Sequence, residues 1–209
     1  KWNKSRLMQK IGVINYGAGN FSSVWNALNF LEIPCAEVRD SSSLAAASKI
    51  ILPGVGAFKN AMVRLEEMKL IEPLRNLVLN DQLPFLGICV GHQVLATIGK
   101  EFEDYSGLGL VDGEVDQIQG EKIVLPHMGW NEVEPKPESK LFQNIPDPCF
   151  YFAHSYSIRL KDEKDAAAYC DYGERLVAAI EKKNIFGVQF HPEKSQWAGL
   201  QLLRNFSNL

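Results

Sequence analysis

Charge of one sign never accumulates along this chain. Its 22 Lys plus Arg and 25 Asp plus Glu are interspersed through 209 residues without a block of five like charges, for a formal net charge of −3. Tracts of the kind that grip nucleic acid or anionic membrane are therefore excluded. Cysteine is scarce, and Cys35, Cys89, Cys149 and Cys170 form no C-x-x-C pair and no zinc-knuckle spacing. No structural metal and no disulfide framework is expected. Uncharged stretches run from Ile11 to Leu31 and from Gln82 to Gly99, but asparagines and glycines interrupt the first, and Pro84, Gly87, Gly91, His92 and Gln93 the second. Neither reads as a membrane span. The opening KWNKSRLMQK lacks the apolar centre of a signal peptide. A cytoplasmic location is expected, with residues 1–7 a leader foreign to the domain and a native start at Met8.

What is present is the make-up of a globular protein, with 46% hydrophobic and 22% charged residues. A domain of this size buries about 70% of its unfolded surface and needs no staples. No repeat or low-complexity linker divides it, so a single domain over residues 8–209 is expected.

Three segments of the first half share one pattern. Lys10 to Tyr16 is apolar and ends in Gly17-Ala18-Gly19-Asn20, after which Phe21 to Leu31 has helical spacing. Lys49 to Leu52 ends in Pro53-Gly54-Val55-Gly56, and Phe58 to Leu79 reads as a helix interrupted near Pro73. Phe85 to Ile98 repeats the pattern. Strands alternating with helices imply an α/β fold with a mostly parallel sheet covered on both faces, whose ligands sit at the carboxyl ends of the strands. The second half carries short β-rich runs at Glu114 to Ile118, Phe150 to Phe152, Ala166 to Tyr172, Leu176 to Ile180 and Ile185 to Phe190, then a helix from Gln196 to Phe206. These runs read as antiparallel strands added to the same sheet.

Gly87-Ile88-Cys89-Val90-Gly91 lies between an apolar strand and a helix-like segment. It is a G-x-C-x-G elbow, with cysteine where hydrolases put serine. Neighbours without Cβ atoms let a sharp turn close and a substrate approach. A thiol at a helix amino terminus is biased towards thiolate, and adjoining N–H groups can bind an oxyanion. Phe190-His191-Pro192-Glu193 supplies the base, because proline favours extended geometry at His191 and residues two apart on an extended segment share a side. An isolated His-Pro-Glu also suits an exposed loop, and a cysteine between glycines also suits a core. Together they make a Cys-His-Glu nucleophilic triad. His92, His127 and His154 read as packing or hydrogen-bonded structural residues.

These residues resemble the class I, triad-type glutamine amidotransferases, and within them the glutaminase subunits of imidazole glycerol phosphate synthases. The resemblance runs from Lys10 to Leu209 through Tyr16-Gly17-Ala18-Gly19-Asn20, Pro53-Gly54-Val55-Gly56-Ala57-Phe58, Gly107-Leu108-Gly109-Leu110, Pro126-His127-Met128-Gly129-Trp130-Asn131, Phe152-Ala153-His154-Ser155-Tyr156 and Gly187-Val188-Gln189-Phe190-His191-Pro192-Glu193-Lys194. It implies a flavodoxin-like fold in which Cys89 attacks the side-chain amide of glutamine, His191 shuttles the proton and Glu193 orients it. Val90 N–H would be one oxyanion donor, and the Gly54–Val55 peptide the second once it turns inward. Gly56, Gln93, Glu101, Ser155 and Tyr156 would hold glutamine. No cofactor is implied. A (β/α)8-barrel synthase would dock over the site and receive the ammonia, facing Asn20, Met128, Trp130, Tyr151 and Lys194. His92 and Gly99-Lys100 depart from the family pattern, and related subunits serve enzymes that amidate nucleotide-linked or surface-polysaccharide sugars. A cysteine hydrolase of similar fold also wants Cys-His-Glu, but has no use for PHMGWN.

Overall fold

A computed structural model describes residues 10–17 and 20–209. The expected leader, residues 1–7, and Ala18-Gly19 lie outside the described residues. The first half runs β1 (Ile11–Ile14), α1 (Phe21–Phe30), β2 (Cys35–Val38), α2 (Ser41–Ala45), β3 (Lys49–Gly54), α3 (Phe58–Glu67), α4 (Ile71–Leu79), β4 (Phe85–Cys89) and α5 (Val90–Gln93). Then come β5 (Ile98–Gly99), β6 (Tyr105–Ser106), β7 (Gly113–Gln117), β8 (His127–Glu132), β9 (Glu134–Pro135), β10 (Cys149–His154) and β11 (Tyr156–Leu160). The chain ends with β12 (Ala166–Tyr172), β13 (Glu174–Lys182), β14 (Ile185–Val188) and α6 (Gln196–Ser207).

An eight-stranded sheet in the order β2-β1-β3-β4-β14-β13-β12-β9 forms the centre. β1, β4 and β14 are buried at every position, which is why they read as continuous apolar runs. The parallel block is β2, β1, β3, β4 and β14. β14 is thus not one of the added antiparallel strands: it leaves β13 by a hairpin, with Lys183 at φ 58°, and so runs alongside β4. β13, β12 and β9 extend the sheet antiparallel. The other second-half runs leave it altogether. β8 pairs with β10 as a two-stranded ribbon, and β11, β7, β5 and β6 form a four-stranded sheet.

The break expected near Pro73 falls earlier. α3 stops at Glu67, Lys69 takes φ 57°, and α4 restarts with Pro73 in its first turn. Proline is tolerated there because a first-turn N–H has no intrahelical partner to lose.

The order β1-β3-β4-β14 fixes the functional end of the molecule. Four neighbouring parallel strands end side by side, so Asn20, Gly54 to Gly56, Cys89 and Gln189 to Glu193 follow adjacent carboxyl ends.

Candidate active site

Cys89 is the last residue of β4 and the cap of α5, with φ 55° and ψ −109°, outside the regions a residue with a Cβ prefers. Such a backbone costs about 1–3 kcal/mol and persists only where its surroundings enforce it. They do so through the two elbow glycines. A Cβ on Gly87 would lie 2.2 Å from the Gly91 carbonyl oxygen, and one on Gly91 would lie 1.8 Å from the Leu52 carbonyl oxygen. The helix that follows is only one turn, so little dipole is aligned behind the thiol. The helix-dipole support expected from the sequence is therefore small. Val90, first in that turn, still has an N–H that no helical carbonyl can reach.

His191 is 1% exposed. Its Nδ1 donates to Glu193 Oε1 at 2.8 Å, which leaves Nε2 as the nitrogen for the thiol. The preceding Phe190 is fully buried and stacks on Phe150 with centroids 4.0 Å apart, which pins the loop. Burial pulls the imidazole pKa down, but Cys89 and Glu193 together outweigh it and raise it to about 9. A proton is thus held on the imidazole beside Cys89.

Two further groups complete the triad's surroundings. Asn20, expected to face a partner, is 2% exposed and donates from Nδ2 to Glu193 Oε1 at 2.8 Å. The turn after β1 can deliver it there because β1 and β14 end on the same side of the sheet with only β3 and β4 between them. Gln189 is 1% exposed, and its Nε2 lies 3.9 Å from Cys89 Sγ.

A cavity of about 480 Å³ opens above the thiol, lined by Val55, Gly56, Cys89, Val90, Gln93, Glu101, His154, Ser155, Tyr156, His191 and Lys194 among others. All five residues expected to hold the substrate border it. Gln93 spends Nε2 on the Tyr156 carbonyl at 2.8 Å and on Gln189 Oε1 at 3.2 Å, so its own carbonyl oxygen is what it can offer a ligand. Glu101 Oε2 accepts from Phe58 N–H at 2.8 Å, capping α3 and leaving its other oxygen for the cavity. Gly54 pairs with Cys89 across β3 and β4, and Gly56 takes φ 96°.

His127 and His154 are hydrogen-bonded, as read from sequence. His127 Nδ1 is 3.1 Å from His154 Nε2, and His154 Nδ1 is 2.9 Å from the Tyr156 carbonyl. His92 is packed but not satisfied: it is fully buried, and neither ring nitrogen has a partner among the described residues.

Met128 and Trp130 are 64% and 49% exposed on one face of the β8–β10 ribbon, whose Ala153 and His154 line the cavity. Tyr151, cross-strand from Trp130, meets it edge-on, and Lys194 lies over the Tyr151 ring at 5.9 Å. Tyr151 carbonyl also accepts from His191 N–H at 2.9 Å, so this face is one main-chain hydrogen bond from the triad.

A glycine-supported cysteine elbow facing a histidine–carboxylate pair is the layout of an amidotransferase, and a family model described as glutamine amidotransferase class-I matches residues 13–208. The chain belongs to that family. It is 45% identical over 198 residues to the imidazole glycerol phosphate synthase subunit HisH of Desulfitobacterium hafniense (strain Y51), spanning 94% of this chain and 92% of that one. The same-named subunit of Bdellovibrio bacteriovorus is 44% identical over 204 residues, 95% of this chain and all of that one. Among solved structures, one described as glutamine amidotransferase superposes with a TM-score of 0.75 at 21% identity, over 95% of this chain and 99% of that one. A chain of PurLQS from Thermotoga maritima gives 0.74 at 17%, over 96% and 99%. These two likenesses concern the fold alone.

Proposed function

We propose that this chain is the glutaminase subunit of an imidazole glycerol phosphate synthase, hydrolysing L-glutamine to glutamate and ammonia. The observation that carries the reading is the meeting of Cys89 and His191 at one cavity, with Glu193 hydrogen-bonded behind His191, in a chain 44–45% identical over nearly its whole length to subunits of that name.

The geometry supports the following chemistry. Cys89 Sγ attacks the side-chain amide carbon of glutamine, and the oxyanion that forms is met by Val90 N–H and by the Gly54–Val55 peptide once it turns inward. The C–N bond breaks as His191 gives its proton to the leaving nitrogen, which departs as ammonia. Water, deprotonated by the now neutral His191, hydrolyses the thioester to glutamate and returns the thiolate and imidazolium. Glu193 keeps Nδ1 protonated and Nε2 aimed at the reacting atoms throughout. Gly56, Gln93, Glu101, Ser155 and Tyr156 form the glutamine pocket.

Ammonia loose in water would protonate and lose its lone pair, so it is handed directly to a second protein. That partner is a (β/α)8-barrel synthase, which uses the ammonia to make imidazole glycerol phosphate and AICAR in histidine biosynthesis. It docks over Met128, Trp130, Tyr151 and Lys194 to form a cytoplasmic heterodimer. His92, Gly99 and Lys100 lie outside the cavity lining and Lys100 pairs with Glu114, so the two departures from the family pattern leave the glutamine pocket itself unaltered.

The deciding experiment reconstitutes the chain with a barrel synthase of the imidazole pathway and offers glutamine plus the pathway ribonucleotide. Formation of the imidazole product with one glutamate per turnover is expected. Product formation only with a nucleotide-linked sugar synthase and its sugar would overturn the assignment of the acceptor.

A further inference from the structure

The triad accounts for the sulfur's base but not for what holds the sulfur. Gln189 sits just beyond β14, with its backbone N–H donated to the Ala178 carbonyl at 2.9 Å and its side chain sealed from solvent. The direction of its carboxamide is fixed by a chain of contacts. The Tyr156 carbonyl can only accept, so the Gln93 group 2.8 Å from it must be Nε2. That same nitrogen lies 3.2 Å from Gln189, which must therefore present Oε1 to it. Gln189 Nε2 is left facing Cys89 Sγ at 3.9 Å, the long end of an N–H to sulfur contact. A main-chain carbonyl of the substrate pocket thus sets, through two amides, the polarity of the group at the nucleophile.

We infer that Gln189 is a positioning residue for the Cys89 thiolate, aimed by Gln93 and the Tyr156 carbonyl. This rests on the reading of Cys89 as the glutaminase nucleophile. A donor on sulfur favours its charged form and fixes its rotamer, while leaving the opposite lobe free to attack. With its acceptor already used by Gln93, the Gln189 amide cannot turn over and present oxygen to a negative sulfur. The relay also ties the nucleophile to the strand end that carries Ser155 and Tyr156, so an ordered pocket and an oriented thiolate go together.

The test uses Q189M and Q189L, which keep the bulk and remove the donor, each assembled with the synthase partner. Thermal unfolding selects the variants that fold like the parent. The inference expects kcat for glutamine hydrolysis to fall about tenfold with KM within twofold. It also expects alkylation of Cys89 by iodoacetamide at neutral pH to slow by a similar factor. A side chain that merely packed would act through the pocket instead, raising KM as Gln93 and Tyr156 loosened. Unchanged kcat and alkylation in a folded variant, or a change in KM alone, overturns the inference. A parent protein whose glutaminase activity survives complete alkylation of Cys89 would instead overturn the reading beneath it.

Discussion

Glu193 Oε1 receives hydrogen bonds from both His191 Nδ1 and Asn20 Nδ2, each at 2.8 Å. Its Oε2 is buried with no partner among the described residues. One oxygen therefore receives both contacts, and in the proposed mechanism it orients the base while Asn20 aims it. Hydrogen bonds to charged groups are worth about 1.5–3 kcal/mol. Asn20→Ala is expected to lower kcat at least tenfold in the assembled enzyme while leaving affinity for the synthase unchanged. Full kcat with weakened assembly would return Asn20 to the docking surface.

Acid sensitivity follows from the buried histidines. Burial, with lesser contributions from neighbouring histidines for the first two, lowers His92 and His154 to about 3, and burial lowers His127 to about 4. Their unfolded value is about 6.5, so below that pH the unfolded chain binds protons the folded chain refuses. Stability is full above pH 6.5 and declines as pH falls towards 4. His191 acts in the opposite sense, since its pKa of about 9 makes its contribution full below pH 6.5 and lost as pH rises through 9. The thermal midpoint should therefore peak near neutrality and drop steadily between pH 6.5 and 4. A midpoint that is flat across that interval would contradict the burial of neutral imidazoles.

His92 also costs stability at neutral pH. Each buried unpartnered polar group costs about 1–3 kcal/mol, and both its ring nitrogens are unpartnered among the described residues. His92→Met should stabilise the fold by about 1–2 kcal/mol, or about 2–8 °C in a chain of this size, at unchanged glutaminase activity. A lower midpoint would mean that the imidazole packs better against Gly187 than methionine can.

The exposed ribbon face provides a separate handle on assembly. Trp130→Ala removes a large, half-exposed aromatic whose cross-strand neighbour Tyr151 remains in place. Binding to the barrel synthase should weaken by about 2 kcal/mol, read by titration, while the subunit stays folded. Unchanged affinity would move docking elsewhere.

The legible parts of this protein are those written in local spacing. G-x-C-x-G announces its elbow because the glycines must be within two residues of the nucleophile, and His191 and Glu193 meet because they are two apart on extended backbone. Glu193 and Asn20 are 173 residues apart, and no periodicity connects them. Gln189 is within reach of the same alternation, since it stands two residues before His191 on its side of the chain. Strand β8 leaves no apolar run in the sequence because only His127 of its six residues is buried. β2, with one buried residue of four, is hidden for the same reason. The destination of the added strands is not legible either, because alternation identifies a strand but not the sheet it joins.

The nucleophile carries the whole account, and Cys89→Ala in the assembled synthase tests it. The subunit should still fold and dock, since the change removes one atom from a buried site. Glutamine hydrolysis should vanish, while synthesis supplied with ammonium salt continues at the parent rate. Glutamate release comparable to the parent's would contradict the assignment of Cys89.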